Sequence, residues 1–175
     1  MNVLLATDAD WLVQDVVAAL GGPDTSFTVC SEGRDVAGVV ADRTAGGAFD
    51  IGLFDLQIGS MGGMAVTMSL RLDESSGRIP HVPIIMLLDR VADVFLARRS
   101  GADGWLVKPL DPLRLRRAVR AVERGETYHE GLVDGRVQHV STAVTADPLD
   151  TISDDAAAEG VDGVEGADVV AAPSR

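Results

Sequence analysis

The chain has one cysteine, few aromatic residues and no long apolar run, and each shortage excludes a class of protein. Cys30 has no cysteine partner within the 175 residues, so an internal disulfide is excluded. The chain also starts without a basic and then apolar signal region, and we therefore expect it to work in the reducing cytoplasm. No stretch of about 18 apolar residues occurs, which argues against a membrane-spanning helix.

Basic residues are also scarce. The chain holds 15 Lys and Arg against 27 Asp and Glu, and its net charge is −12. Proteins that coat nucleic acid need clustered Lys and Arg to neutralise phosphates, so this role is not expected. The acidic excess is uneven, because residues 131–175 carry 9 acids and only 2 bases. The last part of the chain therefore differs in composition from the rest.

Apolar runs of strand length alternate with segments of helical period, as in repeated strand-helix units around a parallel sheet. Aromatics form 4% of a chain that is 46% apolar, which suits a parallel sheet buried by aliphatic side chains. The predicted strands are Val3–Thr7, Phe27–Cys30, Ile51–Phe54, Val82–Leu88 and Gly104–Val107. The predicted helices cover about residues 10–20, 34–43 and 92–99, a segment opened by Gly63, and a last segment that Asp111 caps with Pro112 at its first position.

These elements predict an α/β domain over residues 1–125, with a doubly wound, five-stranded parallel sheet and helices on both faces. With strand order 2-1-3-4-5, a ligand crevice opens at the carboxyl ends of the strands, where the chain order switches direction. Residues 126–175 lose the periodicity, and we expect them to form an acidic, disordered C-terminal tail. A short strand within Val133–Val144, which alternates weakly, is the alternative for that segment.

Three side chains with chemistry follow the ends of predicted strands: Asp8, Asp55 and Lys108. Two carboxylates brought together repel each other, and a hard cation such as Mg²⁺ resolves the repulsion by taking oxygen ligands from both. The main-chain carbonyl of Gln57 is a candidate third ligand. In such a site Asp55 can attack a phosphorylated donor and form an acyl phosphate, while the metal and Lys108 offset the charge on the transferring group.

Over about residues 1–125 the chain resembles the receiver domains of bacterial two-component response regulators, of the chemotaxis-type single-domain form. The likeness rests on Asp8 after the first strand, on Phe-Asp-Leu-Gln-Ile-Gly-Ser-Met-Gly-Gly around Asp55, on Val-Pro-Ile-Ile-Met-Leu, and on Gly-Ala-Asp-Gly-Trp-Leu-Val-Lys-Pro-Leu-Asp around Lys108. The resemblance implies a flavodoxin-like fold, Asp55 as phosphoacceptor, Lys108 as phosphoryl contact, and Mg²⁺ held by Asp8, Asp55 and the Gln57 carbonyl.

The chain departs from that family's pattern at three positions. Thr7 precedes Asp8 where the family usually has a second acid, so the affinity for the metal should fall. Leu88 ends the fourth strand where the family places a Ser or Thr hydroxyl that bonds the phosphoryl oxygen. Trp105 stands at the position of the switch aromatic and is bulkier than the usual Tyr or Phe. By resemblance, Leu88 and Trp105 are the switch residues.

Simpler roles stay open for these residues. Asp55 can cap the turn that follows it, Asp8 or its neighbour Asp10 can cap the next helix, and Lys108 can be an ordinary surface lysine. The outer face of the last helix carries five arginines, namely Arg114, Arg116, Arg117, Arg120 and Arg124. That face is either solvated or a docking surface for a partner or a homodimer.

We therefore predict a stand-alone response regulator receiver that accepts a phosphoryl group on Asp55 from a histidine kinase or phosphotransfer protein. It would signal in a phosphorelay by binding a downstream protein, without direct DNA binding and without enzymatic turnover beyond its own phosphorylation and slow dephosphorylation. The alternative is a receiver-like adaptor that does not depend on phosphorylation, which Thr7 and Leu88 favour. A small enzyme that binds a nucleotide or flavin is less well supported, because the phosphate-binding fingerprint is missing.

Overall fold

The computed structural model describes residues 1–43, 47–133 and 136–140. Its strands are β1 Asn2–Ala6, β2 Ser26–Cys30, β3 Ile51–Asp55, β4 Ile84–Leu88, β5 Gly104–Val107, β6 Tyr128–Val133 and β7 Arg136–His139. Its α-helices are α1 Asp10–Leu20, α2 Val36–Arg43, α3 Gly63–Ser75, α4 Val94–Ser100 and α5 Pro112–Glu123. Single 3₁₀ turns, Gly33–Asp35 and Val91–Asp93, lead into α2 and α4.

The strands form one sheet in the order β2-β1-β3-β4-β5-β6-β7. All neighbouring pairs are parallel except β6 and β7, which are antiparallel. The doubly wound α/β fold and the order 2-1-3-4-5 are confirmed. The prediction of five strands was too low, because β6 continues the sheet past β5 and β7 turns back along it.

Residues 126–133 and 136–140 differ from the disordered tail expected from residue 126 onward, because they contain the strands β6 and β7. The hairpin of β6 and β7 pairs with β5 through Gly104 opposite Tyr128 and Trp105 opposite His129. Its strand β6 is hard to recognise in sequence because its middle carries a glutamate and a glycine, Glu130 and Gly131. Residues 141–175, including the rest of the predicted tail and the end of the Val133–Val144 segment, lie outside the described residues.

Aliphatic side chains bury both faces of the central strands. In β1, Val3 and Leu5 pack with α1 and α5 on one face, while Leu4 and Ala6 pack with α2 and α3 on the other. This alternation is what a strand covered on both sides requires. Among the described residues, no helix has the length and apolarity needed to cross a bilayer. The centre of the sheet is thus apolar, and Thr7, Asp89 and Lys108 directly follow the ends of its strands.

Two helix boundaries have the physical causes expected from the sequence. The carboxylate of Asp111 accepts hydrogen bonds from the main-chain N–H groups of Leu113 and Arg114 at 2.9 Å, and Pro112 begins α5. Gly101 ends α4 with φ of +78°, a left-handed conformation that costs glycine little. The α5 boundary matters for function, because it follows directly on the loop that carries Lys108.

Candidate functional site

The carboxyl ends of β1, β3, β4 and β5 place the predicted chemical groups along one edge of the sheet. Ala6 of β1 lies opposite Phe54 of β3, and Leu88 of β4 lies opposite Val107 of β5. The next residues in the chain, which include Thr7, Asp55 and Lys108, therefore emerge side by side. This is the position at which open parallel sheets bind ligands.

Asp55 and Lys108 are in direct contact. The Lys108 ammonium group donates to Oδ1 of Asp55 at 2.8 Å. Only 9% of the lysine side chain and 4% of the aspartate side chain are exposed, so water screens this pair weakly. Lys108 is therefore not an ordinary surface lysine, and its charge is held against the carboxylate of Asp55.

Neutral donors complete the surroundings of Asp55. The Thr7 hydroxyl donates to Oδ2 at 3.1 Å, and the main-chain N–H of Gln57 donates to Oδ1 at 3.1 Å. The Thr7 oxygen also accepts from the N–H of Ala9 at 3.2 Å, which fixes the direction of its own hydrogen. Thr7 thus orients the Asp55 carboxylate, a role that the sequence did not indicate. Because the Asp55 carboxylate accepts a hydrogen bond from the N–H of Gln57, it also stabilises the turn that follows β3.

Asp8 lies at the same edge but at its exposed rim. Its Oδ2 accepts from the main-chain N–H of Gly59 at 3.3 Å, which links the end of β1 to the loop after β3. The structure shows no side-chain cap hydrogen bond at the start of α1, so neither Asp8 nor Asp10 caps that helix. Hydrogen bonds among the described residues leave the main-chain carbonyl of Gln57 unused. Asp8, Asp55 and this carbonyl offer oxygen ligands only.

A second carboxylate contacts Lys108. Oδ1 of Asp89 accepts from the ammonium group at 3.1 Å, and the Asp89 side chain is 41% exposed. The Trp11 ring also lies near the lysine, with its centroid 5.8 Å from Nζ. The position of Asp89 directly after β4 indicates that it lies at this edge. The contact itself depends on how the loop turns, which the sequence does not reveal.

Leu88 occupies the end of β4 and is fully buried. Its side chain joins an apolar cluster with Met86, Trp105 and other residues, while its carbonyl accepts from the N–H of Lys108 at 2.8 Å. Leu88 thus fixes the main chain beside the lysine and supplies no polar atom of its own to the site.

The β6–β7 hairpin holds Trp105 in place. The indole N–H donates to the main-chain carbonyl of Glu130 at 2.8 Å, and the ring stacks on His129 with centroids 3.7 Å apart. Trp105 is only 3% exposed. Burial, with smaller contributions from Arg98 and His139, lowers the pKa of His129 below its ordinary value of 6.5. These surroundings therefore favour the neutral form of the stacked imidazole.

Below Trp105, the carboxylate of Glu130 is fully buried and fully paired. It accepts from Arg114 Nε at 2.7 Å and from the main-chain N–H of Val107 at 2.8 Å. The hydrogen bond to Glu130 raises the pKa of Arg114 above its ordinary value. Arg114 thus belongs to an internal ion pair and not to a free arginine face. No sequence pattern indicated this pair, because Glu130 lies on the unpredicted strand β6, 16 residues after Arg114 on α5.

Comparison with known proteins agrees with the geometry. The family model described as the response regulator receiver domain matches residues 3–120. The DNA-binding response regulator MtrA of Mycobacterium tuberculosis is 31% identical over 122 residues, which are 69% of this chain and 49% of MtrA. The chain spans about half the length of the curated relatives it matches.

Solved structures of similar fold include a chemotaxis protein and a receiver domain. The chemotaxis protein CheY4 of Vibrio cholerae is 24% identical, with a TM-score of 0.56 over 69% of this chain and 97% of CheY4. The receiver domain of the sensor histidine kinase PA1611 of Pseudomonas aeruginosa has a magnesium ion in its active-site cleft. It is 21% identical, with a TM-score of 0.60 over 70% of this chain and 97% of that domain. At these identities the likeness shows the shared fold.

Proposed function

Because the chain belongs to the family of response regulator receiver domains, we propose that Asp55 accepts a phosphoryl group from a histidine kinase or a phosphotransfer protein. The observation that carries this proposal is the contact between Lys108 and Asp55 at 2.8 Å, in a site where both side chains are almost buried. A cation held at this carboxylate is placed to offset the charge of an incoming phosphoryl group.

In the proposed reaction an oxygen of the Asp55 carboxylate attacks the phosphorus of a phosphohistidine. The phosphorus–nitrogen bond breaks, its electron pair returns to the imidazole, and an acyl phosphate forms on Asp55. The hydrogen bonds from Thr7 and Gln57 hold the carboxylate in one orientation before the attack. Lys108 donates to the carboxylate before transfer and to a phosphoryl oxygen afterwards. Positioning and charge would supply most of the rate enhancement.

The donor set fits a magnesium ion with few protein ligands. Mg²⁺ is commonly bound by one or two carboxylates together with water and phosphate oxygens. Asp8, Asp55 and the Gln57 carbonyl would hold it here, and no group of three or more His, Cys, Asp or Glu side chains gathers as a metal site in the described part of the chain. The bound ion would offset charge on the transferring phosphoryl group. With Thr7 in place of a second acid, we expect weak binding.

We further propose that the chain acts in the cytoplasm by protein–protein interaction and has no catalytic turnover on other substrates. The described residues after α5 extend the receiver's own sheet through β6 and β7. Trp105, assigned with Leu88 to the switch by family resemblance, is hydrogen-bonded and stacked under that hairpin. In our proposal Trp105 therefore stays inside during signalling, and the response passes through residues at the rim of the site.

Phosphorylation-independent binding is a second candidate function, and two observations favour it. Leu88 is buried without a hydroxyl beside the site, and Trp105 is held by two separate contacts. A receiver of this kind would keep one shape and serve as an adaptor for a partner protein.

Labelling with acetyl phosphate and Mg²⁺, followed by intact mass measurement, distinguishes the two functions. We expect the gain of one hydroxylamine-labile phosphoryl group on the wild-type chain and none on Asp55→Asn. Asp50→Asn is the matched control, because Asp50 bonds the main-chain N–H of Asn2 at the other end of the sheet. Failure of the wild-type chain with small donors and with a panel of histidine kinases would leave the adaptor as the better account.

A further inference from the structure

Lys108 is shared between two carboxylates, and only one of them belongs to the proposed acceptor. Its ammonium group lies 2.8 Å from Oδ1 of Asp55 and 3.1 Å from Oδ1 of Asp89. Asp89 is 41% exposed, so its charge is partly hydrated even while it is paired. Asp89 therefore already occupies the Lys108 ammonium group that a phosphoryl group needs. Because water already hydrates part of the Asp89 carboxylate, breaking its contact with Lys108 should cost little free energy.

A phosphoryl group on Asp55 changes the charge balance around Lys108. The group carries about two negative charges at neutral pH. Its oxygens would compete with Asp89 for the same ammonium group and would repel the Asp89 carboxylate across a few ångströms. The contact of Lys108 with Asp89 and its contact with a phosphoryl group therefore weaken each other.

We propose that Asp89 is a positioning residue that holds Lys108 in the unphosphorylated chain and is displaced from it when Asp55 carries a phosphoryl group. This inference rests on the proposed function of Asp55. Displacement would move the segment that follows β4 outward, away from the site. Repulsion between the Asp89 carboxylate and the phosphoryl group would thus link phosphorylation to a change of shape. Leu88 cannot provide this link, because it has no hydroxyl to bond a phosphoryl oxygen.

The structure around Asp89 confines the movement to a short segment. Leu88 before it is anchored, because its side chain is buried and its carbonyl accepts from the N–H of Lys108. After it, Arg90 donates to both carboxylate oxygens of Asp93, at 3.1 and 2.9 Å. This pair ties together the 3₁₀ turn Val91–Asp93, which leads into α4. Asp89 and Arg90 are exposed, whereas Val91 packs against the cluster of Leu88 and Asp93 is only 4% exposed. The movement is therefore centred on residues 89 and 90, and the turn Val91–Asp93 forms its inner boundary.

Binding of beryllofluoride, a phosphoryl mimic, tests the competition without a kinase. Saturation of each chain in the presence of Mg²⁺ would be measured by fluorine NMR. We expect Asp89→Asn to reach half saturation at about fivefold lower beryllofluoride concentration, as removal of a partly exposed charge partner allows. Asp89→Glu should behave as the wild-type chain. Asp42→Asn, which removes an exposed acid from the end of α2, is the matched control and should also leave binding unchanged.

Hydrogen exchange of residues 89–93 tests the movement itself. We expect beryllofluoride to raise exchange in this segment of the wild-type chain and to cause no further rise in Asp89→Asn, whose segment is released beforehand. Equal half saturation and equal exchange in the two chains would overturn the inference while leaving the function of Asp55 intact. Absence of beryllofluoride binding to every chain would overturn the proposed function, and this inference with it.

Discussion

At Asp55, one charged donor and two neutral donors share a single buried carboxylate. Lys108 supplies the charge, while the Thr7 hydroxyl and the Gln57 N–H supply direction. Thr7 is the unusual member, because it stands 3.1 Å from Oδ2 at a position that is 1% exposed. A neutral donor there stabilises the carboxylate in the absence of a metal, whereas an acid would repel it.

Exchange of Thr7 for an acid should make the domain dependent on Mg²⁺. We expect Thr7→Asp to lower the free energy of unfolding by about 2 kcal/mol without the metal, because two carboxylates would then meet in a buried site. Millimolar Mg²⁺ should restore much of this loss, since a ligand that binds only the folded state stabilises it. Urea denaturation at several Mg²⁺ concentrations measures both effects.

Thr7→Val is the matched control for that change. It removes the hydroxyl without adding charge, and we expect a loss of about 1 kcal/mol from the missing hydrogen bond. Its stability should respond to Mg²⁺ no more than that of the wild-type chain, because it adds no metal ligand. If the stability of Thr7→Asp does not depend on Mg²⁺, the metal does not bind between residue 7 and Asp55.

Residue type and strand position were sufficient to predict part of this site. Asp55 and Lys108 follow buried runs on strands whose ends must lie at one edge, so their proximity follows from the parallel sheet. The contact of Asp89 with Lys108 depends on loop geometry and on a side-chain rotamer, neither of which leaves a sequence pattern. The donor role of Thr7 was missed because a threonine after a strand has no distinctive spacing.

At the scale of elements, the lowered pKa of His129 predicts that the stability of the β6–β7 hairpin depends on pH. The folded chain lowers the pKa of His129, chiefly by burial and then through Arg98 and His139. The unfolded chain therefore binds a proton at this position more readily than the folded one. As the pH falls below the ordinary value of about 6.5, the opened state gains stability relative to the closed hairpin.

We expect the hairpin to open more often between pH 7.5 and pH 5.5. Hydrogen exchange of Tyr128–Val133, corrected for the intrinsic rate and compared with β4, should show less protection at the lower pH. His129→Phe keeps a ring against Trp105 and should lose this pH dependence, whereas His81→Gln, which removes an exposed histidine elsewhere, should retain it. Equal pH dependence in His129→Phe and the wild-type chain would assign the effect to another group.

The predictable and unpredictable elements differ in their source of stability. The strands β1, β3, β4 and β5 are recognisable because most of their own residues are apolar and buried, as in the fully buried β3 and β4. In β6 the central residue is Glu130, whose burial is stable only because Arg114 on α5 and the N–H of Val107 pair with it. No local pattern can report such a partner, so the sheet was predicted two strands too short.

For the whole molecule, the main consequence concerns where the folded unit ends. A boundary at residue 125 would remove Tyr128, which belongs to the core, and would uncover Trp105. It would also leave the Arg114 guanidinium, now paired with Glu130, with the main-chain carbonyl of Val107 as an acceptor and without its carboxylate partner. We infer that the receiver of this chain needs residues 126–140 for its stability.

Comparison of two shortened chains tests this boundary. We expect the free energy of unfolding of residues 1–125 to be at least about 3 kcal/mol lower than that of residues 1–142. The shorter chain lacks the apolar contacts of Tyr128 and the buried carboxylate of Glu130, which the longer chain keeps. Urea denaturation followed by far-ultraviolet circular dichroism measures the difference. Both chains would carry Trp11→Phe, so that Trp105 is the remaining tryptophan. The fluorescence emission of the shorter chain should then shift to longer wavelength, because Trp105 becomes exposed to water. If the two chains have equal stability and equal emission, the domain is fully stable without the β6–β7 hairpin and the inference is wrong.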